Sequence, residues 1–243
     1  MIVYEREVTM QKEHNSNILV SILMITYNHE KYIAQALESI LMQDVNFNYE
    51  IIIGEDCSTD NTREILLEYK EKYSDKFKLL LHNKNIVMMK NTLSTLRSCS
   101  GKYIAMLEGD DYWIDDEKLS KQIVFMENRS DYTMCGAITE RIRENDNNEW
   151  ISDGNILPSV IKESYSVEDL IPEYSFHTSS VMIRKSAIHF PKWLWDMYCA
   201  DRPIYLLAAE QGSVGFIPEV MSAYRLHGGG IWSPTSQMDK AKN

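Results

Sequence analysis

The sequence lacks the features that mark secreted, membrane-spanning and zinc-binding proteins. Its four cysteines are widely separated and form no CxxC pair, which argues against a zinc site and favours a reducing compartment over a disulfide framework. No apolar run approaches the ~20 residues that span a bilayer, and residues 1–17 are polar and charged, unlike a secretory signal. We therefore expect a cytoplasmic protein, with peripheral attachment at the inner face of the membrane left open.

An excess of positive charge is also lacking. Asp and Glu number 36 against 25 Lys and Arg, so that the net charge is −11. Nucleic-acid-binding proteins usually carry a basic face, and we expect no nucleic-acid partner. A nucleotide ligand is still allowed, because a metal ion can neutralise its phosphates. The sequence contains neither GxGxxG nor Gly-Lys-Ser/Thr, which disfavours a dinucleotide-binding fold and a P-loop NTPase.

No internal repeat, low-complexity segment or Pro/Gly/Ser-rich linker divides the 243 residues, which are enough to bury a sizeable core. Hydrophobic residues make up 44% and charged residues 25%, as in an ordinary globular protein. We predict one domain over residues 18–233, between an N-terminal tail at 1–17 and a C-terminal tail at 234–243.

Apolar runs of strand length alternate with helical patterns in the first half of the chain. The run at 19–26 is nearly continuous, as expected of a strand buried on both faces, and helical spacing follows it with Asn28 as a candidate N-cap. This alternation predicts an α/β fold with a parallel sheet and right-handed crossovers, whose ligands bind at the carboxyl ends of the strands. Further strands are predicted at 49–54, 77–81 and 102–107, and helices around 65–73, 89–97 and 116–127.

The alternation breaks down from residue 131 onward. Pro203 is expected in the first turn of a helix, where its missing N–H costs nothing. Strands are predicted at 132–143, 177–184 and 215–224, a helix at 203–211, a flexible loop at 225–230, and mixed structure that covers the sheet at 160–173.

The strand predicted at 102–107 ends in three carboxylates around one glycine, those of Glu108, Asp110 and Asp111. Clustered negative charge at the end of a buried strand is costly unless a cation offsets it. Mg²⁺ and Mn²⁺ take oxygen ligands, usually one or two carboxylates together with substrate phosphates. A metal site and a solvated acidic turn are the two interpretations of this segment.

Polar residues also follow the first two strands. Thr26, Tyr27 and Asn28 end the first strand, where the ring of Tyr27 could either stack on a nucleobase or close over the core. Asp56 follows the second strand, where its carboxylate could accept an N–H from a base or a hydroxyl from a ribose, or could cap the loop. The candidates to cap the following helix are Asp60 and Asn61.

The chain contains VSILMITYN at 20–28, GEDCSTDNT at 54–62 and LEGDDYW at 107–113, in this order. Together these segments resemble glycosyltransferase family 2, whose members are inverting, metal-dependent transferases of nucleotide sugars with the GT-A fold. The resemblance is strong over residues 18–127 and looser over 175–233. It implies a GT-A (Rossmann-like) fold, with a mostly parallel sheet flanked by helices and a C-terminal part that binds the acceptor.

The resemblance implies a nucleotide-sugar-binding half at 18–130 and an acceptor-binding half at 131–233. On the donor side, Asp56 would read the ring N–H of the base, usually uracil. The other contacts to the nucleotide would come from the loop after the first strand, through Thr26, Tyr27, Asn28 and Glu30.

Glu108 and Asp110 occupy the family's Asp-x-Asp position, with Glu in place of the first Asp. The resemblance implies that Asp110 binds Mn²⁺ or Mg²⁺ bridging the diphosphate, with Glu108 towards the ribose or sugar and Asp111 in support. His227 resembles the late histidine that completes the metal site in many GT-A enzymes. Arg225 would help to stabilise the charge of the leaving group.

An inverting transfer needs one general base to deprotonate the acceptor hydroxyl. The resemblance places this base at Asp201, where the alternative is an N-cap before Pro203, and Asp196 is the reserve candidate. The acceptor site is expected to be lined by His177, Thr178, Ser179 and Ser180. Three tryptophans have two possible roles, apolar packing or ligand contact. The ligand would be a sugar ring for Trp113 and a membrane-bound acceptor for Trp193 and Trp195.

The predicted function is transfer of a hexosyl or N-acetylhexosaminyl group from a UDP-sugar to a hydroxyl of a glycan or lipid-linked acceptor, in surface polysaccharide or glycan synthesis. A sugar nucleotidyltransferase is one alternative, disfavoured because no Gly-rich basic loop follows the first strand. An inactive nucleotide-sugar-binding module is the other. It is disfavoured because the carboxylate cluster, Asp201 and His227 are all present.

Overall fold

The computed structural model describes residues 18–173 and 176–230, and the predicted tails at 1–17 and 234–243 lie outside the described residues. Within the described part, ten strands belong to one sheet. None of the helices described is both long enough and apolar enough to cross a membrane.

The first half of the chain comprises β1 (Val20–Thr26), α1 (Ile33–Leu41), β2 (Tyr49–Glu55), α2 (Thr62–Lys72), β3 (Phe77–Leu81), α3 (Met88–Arg97) and β4 (Tyr103–Glu108). These strands are parallel in the order β3-β2-β1-β4, as the alternation predicts. Thr26 of β1 lies opposite Glu55 of β2, and Ile25 lies opposite Glu108 of β4. The carboxyl ends of three strands therefore meet at one edge of the sheet.

The second half comprises β5 (Tyr112–Trp113), α4 (Lys118–Glu127), β6 (Tyr132–Glu144), β7 (Trp150–Ile156), β8 (Ser164–Tyr165), α5 (Val167–Leu170), β9 (Met182–Arg184), α6 (Asp201–Ala209) and β10 (Ser213–Leu226). The sheet continues from β4 as β9-β6-β10-β5, with β7 on β6 and β8 on β10. Strand β9 is antiparallel to both neighbours, whereas β6 and β10 are parallel. The sheet is therefore mixed rather than parallel throughout.

Three local predictions from the second half need correction or extension. The strand predicted at 177–184 begins only at Met182, because Ser179 donates its backbone N–H to the side chain of His177 and residues 178–180 form a 3₁₀ turn. Arg225 belongs to β10 and not to a flexible loop, since β10 pairs with β6 as far as Leu226. The hairpin strand β7 was not predicted, because its sequence is largely polar. The helix with Pro203 in its first turn is present as α6.

Asn28 is not the N-cap of the first helix. Helix α1 begins at Ile33, and Asn28 has a φ of +57°, in the left-handed region that Asn tolerates better than most residues. The side chain of Asn28 accepts a hydrogen bond from the backbone N–H of Thr59 instead (2.8 Å). It therefore serves a contact between loops.

Alternate side chains of β1 enter two apolar layers, one on each face of the sheet. Ile22 and Met24 pack with α1 and α4 on one face, and Leu23 packs with α3 and α6 on the other. Because helices cover both faces, the polar loops at the carboxyl edge form the accessible part of this half of the sheet.

Candidate active site

The loops that follow β1 and β2 are joined by reciprocal hydrogen bonds. The backbone N–H of Asn28 donates to Ser58 Oγ (3.0 Å), and the side chain of Asn28 accepts from Thr59 N (2.8 Å). Two residues on, the backbone N–H of Glu30 donates to Asp60 Oδ2 (3.0 Å). Two of the predicted donor-binding residues, Asn28 and Glu30, thus help to hold both loops in one arrangement.

The start of α2 is capped by Asp60. Its Oδ1 accepts from the backbone N–H of Thr62 (3.0 Å) and from the Thr62 hydroxyl (2.6 Å). Asn61 occupies the N-cap position without a side-chain cap, and its N–H groups donate to Glu30 Oε2 (3.0 Å). Of the two candidates from the sequence, Asp60 makes the capping contact.

Tyr27 and Asp56 flank this pair of loops. The side chain of Tyr27 is 41% exposed, so its ring is accessible to a base. Asp56 is buried, and its Oδ1 accepts from the backbone N–H of Ile86 (2.7 Å) in the loop after β3. Burial raises the pKa of Asp56, and the hydrogen bond from Ile86 opposes that shift. Asp56 therefore holds the loop after β3, and base recognition by it stays a prediction.

Asp110 lies between two histidines. Its Oδ2 is 3.1 Å from His227 Nε2 and 3.5 Å from His29 Nε2. A Cβ at Gly109 would lie 2.6 Å from Thr26 Oγ1 and 2.9 Å from His29 Nδ1, so a residue without a side chain is needed for this approach. Burial alone would raise the pKa of Asp110, but His29 and His227 hold it below its ordinary value.

His29 was not singled out from the sequence. A lone histidine in a polar loop has no spacing pattern to mark it. The available signal was its place three residues beyond Thr26, the end of β1, at the same sheet edge as Asp110. The structure places its ring edge-on to that of His227, with centroids 6.5 Å apart. Burial lowers the pKa of His29 and favours the neutral imidazole that can ligate a metal.

Glu108 lies deeper at the same edge. Its Oε2 is buried and makes no hydrogen bond within residues 18–173 and 176–230. Burial raises the pKa of Glu108 to about 8, and the negative charges of Asp110 and Asp201 add to the shift. Asp201 is the first residue of α6 and has polar partners of its own. The predicted base thus lies close enough to Glu108 to affect its protonation.

Asp111 is buried beside His177. Its Oδ1 accepts from the backbone N–H of Arg225 (3.0 Å), and its Oδ2 is 3.9 Å from His177 Nδ1. Burial raises the pKa of Asp111 well above its ordinary value, and burial lowers the pKa of His177 to about 4. One ligand atom from each of Glu108, Asp111 and His177 lies within 4.8 Å of the others, which forms a second group able to hold a cation.

Arg225 is 3% exposed and contacts the segment that carries the three carboxylates. Its guanidinium donates to the backbone oxygen of Asp110 (2.5 Å) and to Gln35 Oε1 (2.5 Å), and lies 4.4 Å from the ring centre of Tyr112. These contacts position Asp110. A contact between Arg225 and a leaving group stays a prediction.

Of the four predicted acceptor-lining residues, Thr178, Ser179 and Ser180 are buried and His177 is partly buried. Ser179 and Ser180 are fully buried, and Trp113, at 1% exposure, donates its indole N–H to the backbone oxygen of Ser179 (2.8 Å). Stacking of a sugar on Trp113 is therefore wrong, and its packing alternative holds. Thr178 lies close enough to Glu108 to lower its pKa. Trp193 is 49% exposed, whereas Trp195 packs under the guanidinium of Arg97 (4.5 Å).

Comparison with known proteins agrees with this geometry. Residues 21–190 match the sequence profile described as glycosyl transferase family 2. The chain belongs to that family. This family 2 chain is 33% identical over 215 residues to an uncharacterised protein of Mycobacterium bovis, which covers 88% of this chain and 60% of that protein. The chain thus spans about three fifths of the length of that curated relative.

A second relative of the family 2 chain is the UDP-Glc:alpha-D-GlcNAc-diphosphoundecaprenol beta-1,3-glucosyltransferase WfgD of Escherichia coli. It is 39% identical over 110 residues, which cover 44% of this chain and 41% of WfgD.

Solved structures share the fold of the family 2 chain. Residues 1–349 of Staphylococcus aureus TarS in complex with UDP-GlcNAc match with a TM-score of 0.68 at 18% identity, covering 88% of this chain and 60% of that one. The mannosyltransferase PcManGT of Pyrobaculum calidifontis in complex with GDP-Man and Mn²⁺ matches with a TM-score of 0.66 at 16% identity, covering 87% and 58%. The predicted GT-A fold, an α/β sheet flanked by helices, is confirmed.

Proposed function

We propose that this chain transfers a hexosyl or N-acetylhexosaminyl group from a UDP-sugar to an acceptor hydroxyl, with inversion at the anomeric carbon. The observation that carries the proposal is the convergence of Asp110, His29 and His227 with Glu108 and Asp201 at the carboxyl edge of the sheet. This edge is where open α/β sheets bind their ligands.

A divalent cation, Mn²⁺ or Mg²⁺, is the proposed cofactor. Carboxylate oxygens suit Mn²⁺ and Mg²⁺, and Asp110 is held ionised by its neighbours. Asp110 and His227 would hold the ion, with His29 beside them and Glu108, Asp111 and Thr178 as the polar wall behind. When bound, the ion would neutralise charge on the diphosphate. That PcManGT was solved with GDP-Man and Mn²⁺ supports this cofactor.

The joined loops after β1 and β2 are the proposed nucleotide site. Tyr27 offers an accessible ring for the base, and Asn28 and Glu30 keep the two loops in register. Asp56 is proposed to read the base from beneath. Thr26 is buried and supports His29 through a contact of 3.2 Å between Oγ1 and Nδ1. The TarS complex with UDP-GlcNAc supports a uridine nucleotide.

Asp201 is the proposed general base. It would take the proton of the acceptor hydroxyl while that oxygen attacks the anomeric carbon from the face opposite the diphosphate, which gives inversion. Its place at the first residue of α6, beside Glu108, puts a carboxylate on the acceptor side of the cluster.

The proposed setting is the synthesis of a surface polysaccharide or glycan at the cytoplasmic face of a membrane. The name of WfgD, which acts on a lipid diphosphate acceptor, supports a glycan or lipid-linked acceptor for this chain as well. The exposed Trp193 in the acceptor-binding half offers an apolar contact to such a lipid.

Metal-dependent binding and turnover test this proposal in one set of proteins. Asp110→Asn removes the ionised carboxylate between the histidines, and we expect Mn²⁺-dependent UDP affinity and UDP-sugar hydrolysis to fall about tenfold or more, or ~1.4 kcal/mol. His29→Gln should weaken Mn²⁺ affinity by roughly 10–100-fold, as loss of a metal-site partner does. Calorimetry and release of free UDP measure the two effects.

Asp75→Asn and His189→Gln are the matched controls, because both residues are exposed and distant in sequence from the cluster. Unchanged metal-dependent UDP binding and hydrolysis in Asp110→Asn would contradict the assigned site. Tight UDP binding by the wild-type chain, with no turnover of UDP-glucose or UDP-GlcNAc over a wide acceptor panel, would favour the inactive binding module.

A further inference from the structure

Lys118 is completely buried at the start of α4. Among the described residues no carboxylate lies within ion-pair distance of its ammonium, although other lysines of the chain make such pairs. Burying an ammonium without a counter-charge is costly, and an apolar side chain of the same length would stabilise the core better. A residue that opposes stability in this way calls for another reason for its presence.

The ammonium of Lys118 contacts two side chains that lead to the same backbone turn. Its Nζ donates to Gln122 Oε1 (2.7 Å) and lies 4.2 Å from the centre of the Trp113 ring. Gln122 Nε2 donates to the backbone oxygen of Ser180 (2.7 Å), and Trp113 Nε1 donates to that of Ser179 (2.8 Å). All three side chains are buried, so water does not compete for these contacts.

The turn held in this way forms one wall of the carboxylate cluster. His177, directly before it, is 3.9 Å from Asp111 Oδ2 and hydrogen-bonds the Ser179 hydroxyl (2.8 Å). Thr178, its first residue, affects the pKa of Glu108. A small shift of this turn would therefore move the polar groups that face Glu108 and Asp111.

We propose that Lys118 is a positioning residue for the transfer reaction, acting through Gln122 and Trp113 on the turn at 178–180. This inference rests on the proposed function. The backbone oxygen of Ser180 only accepts, so Gln122 turns its NH₂ group towards it, and the buried Gln122 oxygen at the other end then needs the donor that Lys118 supplies. The cation also holds the indole by its ring face, which keeps the N–H directed at Ser179.

The charge of Lys118 depends on pH near neutrality, because no ionised group in the described part of the chain pairs with its ammonium. Burial lowers the pKa of Lys118 to about 7, and the nearest titratable groups are Cys135 on β6 and Asp115 before α4. Burial raises the pKa of the Cys135 thiol to about 12, so it stays neutral, and Asp115 is paired with Lys121 (2.7 Å). The ammonium therefore loses its proton near neutral pH, while the Cys135 thiol keeps its own.

Lys118→Met tests the proposal, because methionine has similar length and no donor. Lys90→Met is the control, because Lys90 is exposed on α3 and lies outside the site. We expect Lys118→Met to lower kcat for hydrolysis of UDP-glucose or UDP-GlcNAc about tenfold or more, with UDP affinity within about twofold and a thermal midpoint equal to or above that of the wild type. Trp113→Phe, which loses the indole N–H together with part of the ring, should lower kcat in the same way.

A spectroscopic signature accompanies the kinetic one. The fluorescence of Trp113 should titrate with a midpoint near pH 7 in the wild type and in Lys90→Met, and this transition should be missing from Lys118→Met. Unchanged kcat in both Lys118→Met and Trp113→Phe would overturn the inference. So would a wild-type fluorescence transition that survives in Lys118→Met. If Lys118→Met does not fold, Trp113→Phe and the wild-type titration decide. Failure of the wild-type chain to bind UDP with Mn²⁺ would instead contradict the proposed function.

Discussion

Glu108, Asp110 and Asp111 are neighbours in sequence but differ in their electrostatic surroundings. Asp110 faces two imidazoles and its pKa falls, whereas burial raises the pKa of Glu108 to about 8 and that of Asp111 well above its ordinary value. Of the three carboxyl groups, Asp110 therefore ionises most readily. Addition of a divalent cation would favour ionisation of all three.

The raised pKa of Glu108 predicts a pH-dependent gain of stability in Glu108→Gln. The folded wild type keeps a proton on Glu108 between the unfolded pKa near 4.3 and the folded pKa of about 8, so its stability falls as the pH rises through this window. Glutamine has no proton to lose, so the variant avoids this loss of stability, which amounts to ~1.4 kcal/mol for each unit by which folding raises the pKa of Glu108. Urea unfolding in EDTA at pH 5 and pH 9 should show a variant advantage that grows with pH.

Glu68→Gln is the control for this measurement, because Glu68 is exposed on α2. An advantage of Glu108→Gln that is the same at pH 5 and pH 9 would show that the carboxyl of Glu108 has an ordinary pKa.

At the scale of elements, the loops after β1 and β2 act as one unit. Seven hydrogen bonds that involve a side chain join residues 28–30 to residues 58–62, and each loop supplies both donors and acceptors. A side chain that caps one helix therefore also fixes the loop next to it.

Asp60→Ala should loosen both loops at once. Asp60 accepts from Glu30, from the backbone of Thr62 and from its hydroxyl, and we expect a loss of about 1–3 kcal/mol in the free energy of unfolding at pH 7. Burial opposes the shift, but the hydrogen bonds from Thr62 and Glu30 hold the pKa of Asp60 below its ordinary value. Its stabilisation is thus present above the unfolded pKa and is lost as the pH falls through the folded one.

Denaturant unfolding of Asp60→Ala at pH 7 and pH 3 measures this, with the exposed Asp75→Ala as the control. A deficit as large at pH 3 as at pH 7 would contradict a contribution from the ionised carboxylate.

Elements with a local signal were predictable, and those fixed by distant pairing were not. Strands β1, β2 and β4 are buried on both faces and so appear as apolar runs. Strand β9 has three residues and is defined by its neighbours β4 and β6, and β7 is a polar hairpin strand. The carboxylates at the end of β4 were found from the sequence for the same reason as the strand itself. His29 and the buried Lys118 were missed, because nothing near them in sequence indicates what they contact.

At the scale of the whole molecule, the candidate site is a junction of three strand ends where several carboxyl groups meet. A ligand that binds only the folded chain stabilises it by about 2.7 kcal/mol at a hundred times its dissociation constant. Since about 1 kcal/mol shifts the midpoint by roughly 2–4 °C at this size, UDP with Mn²⁺ should raise the thermal midpoint by several degrees.

Neither UDP nor Mn²⁺ alone should give that rise, because each leaves part of the site's charge unbalanced. ADP with Mn²⁺ is the control for the base. An equal rise with ADP would contradict uridine recognition and leave only a diphosphate–metal contact.

The distance along the chain between the residues around Asp110 has a consequence for how the protein is made. His29, Asp110 and His227 lie on the loop after β1, the turn after β4 and the residue after β10, and Asp110 is separated from His227 by 117 positions. A growing chain can fold its parallel strands long before His227 is synthesised. The proposed cation site can therefore close only after β10 has been made, and capture of the metal would report that synthesis has passed this strand.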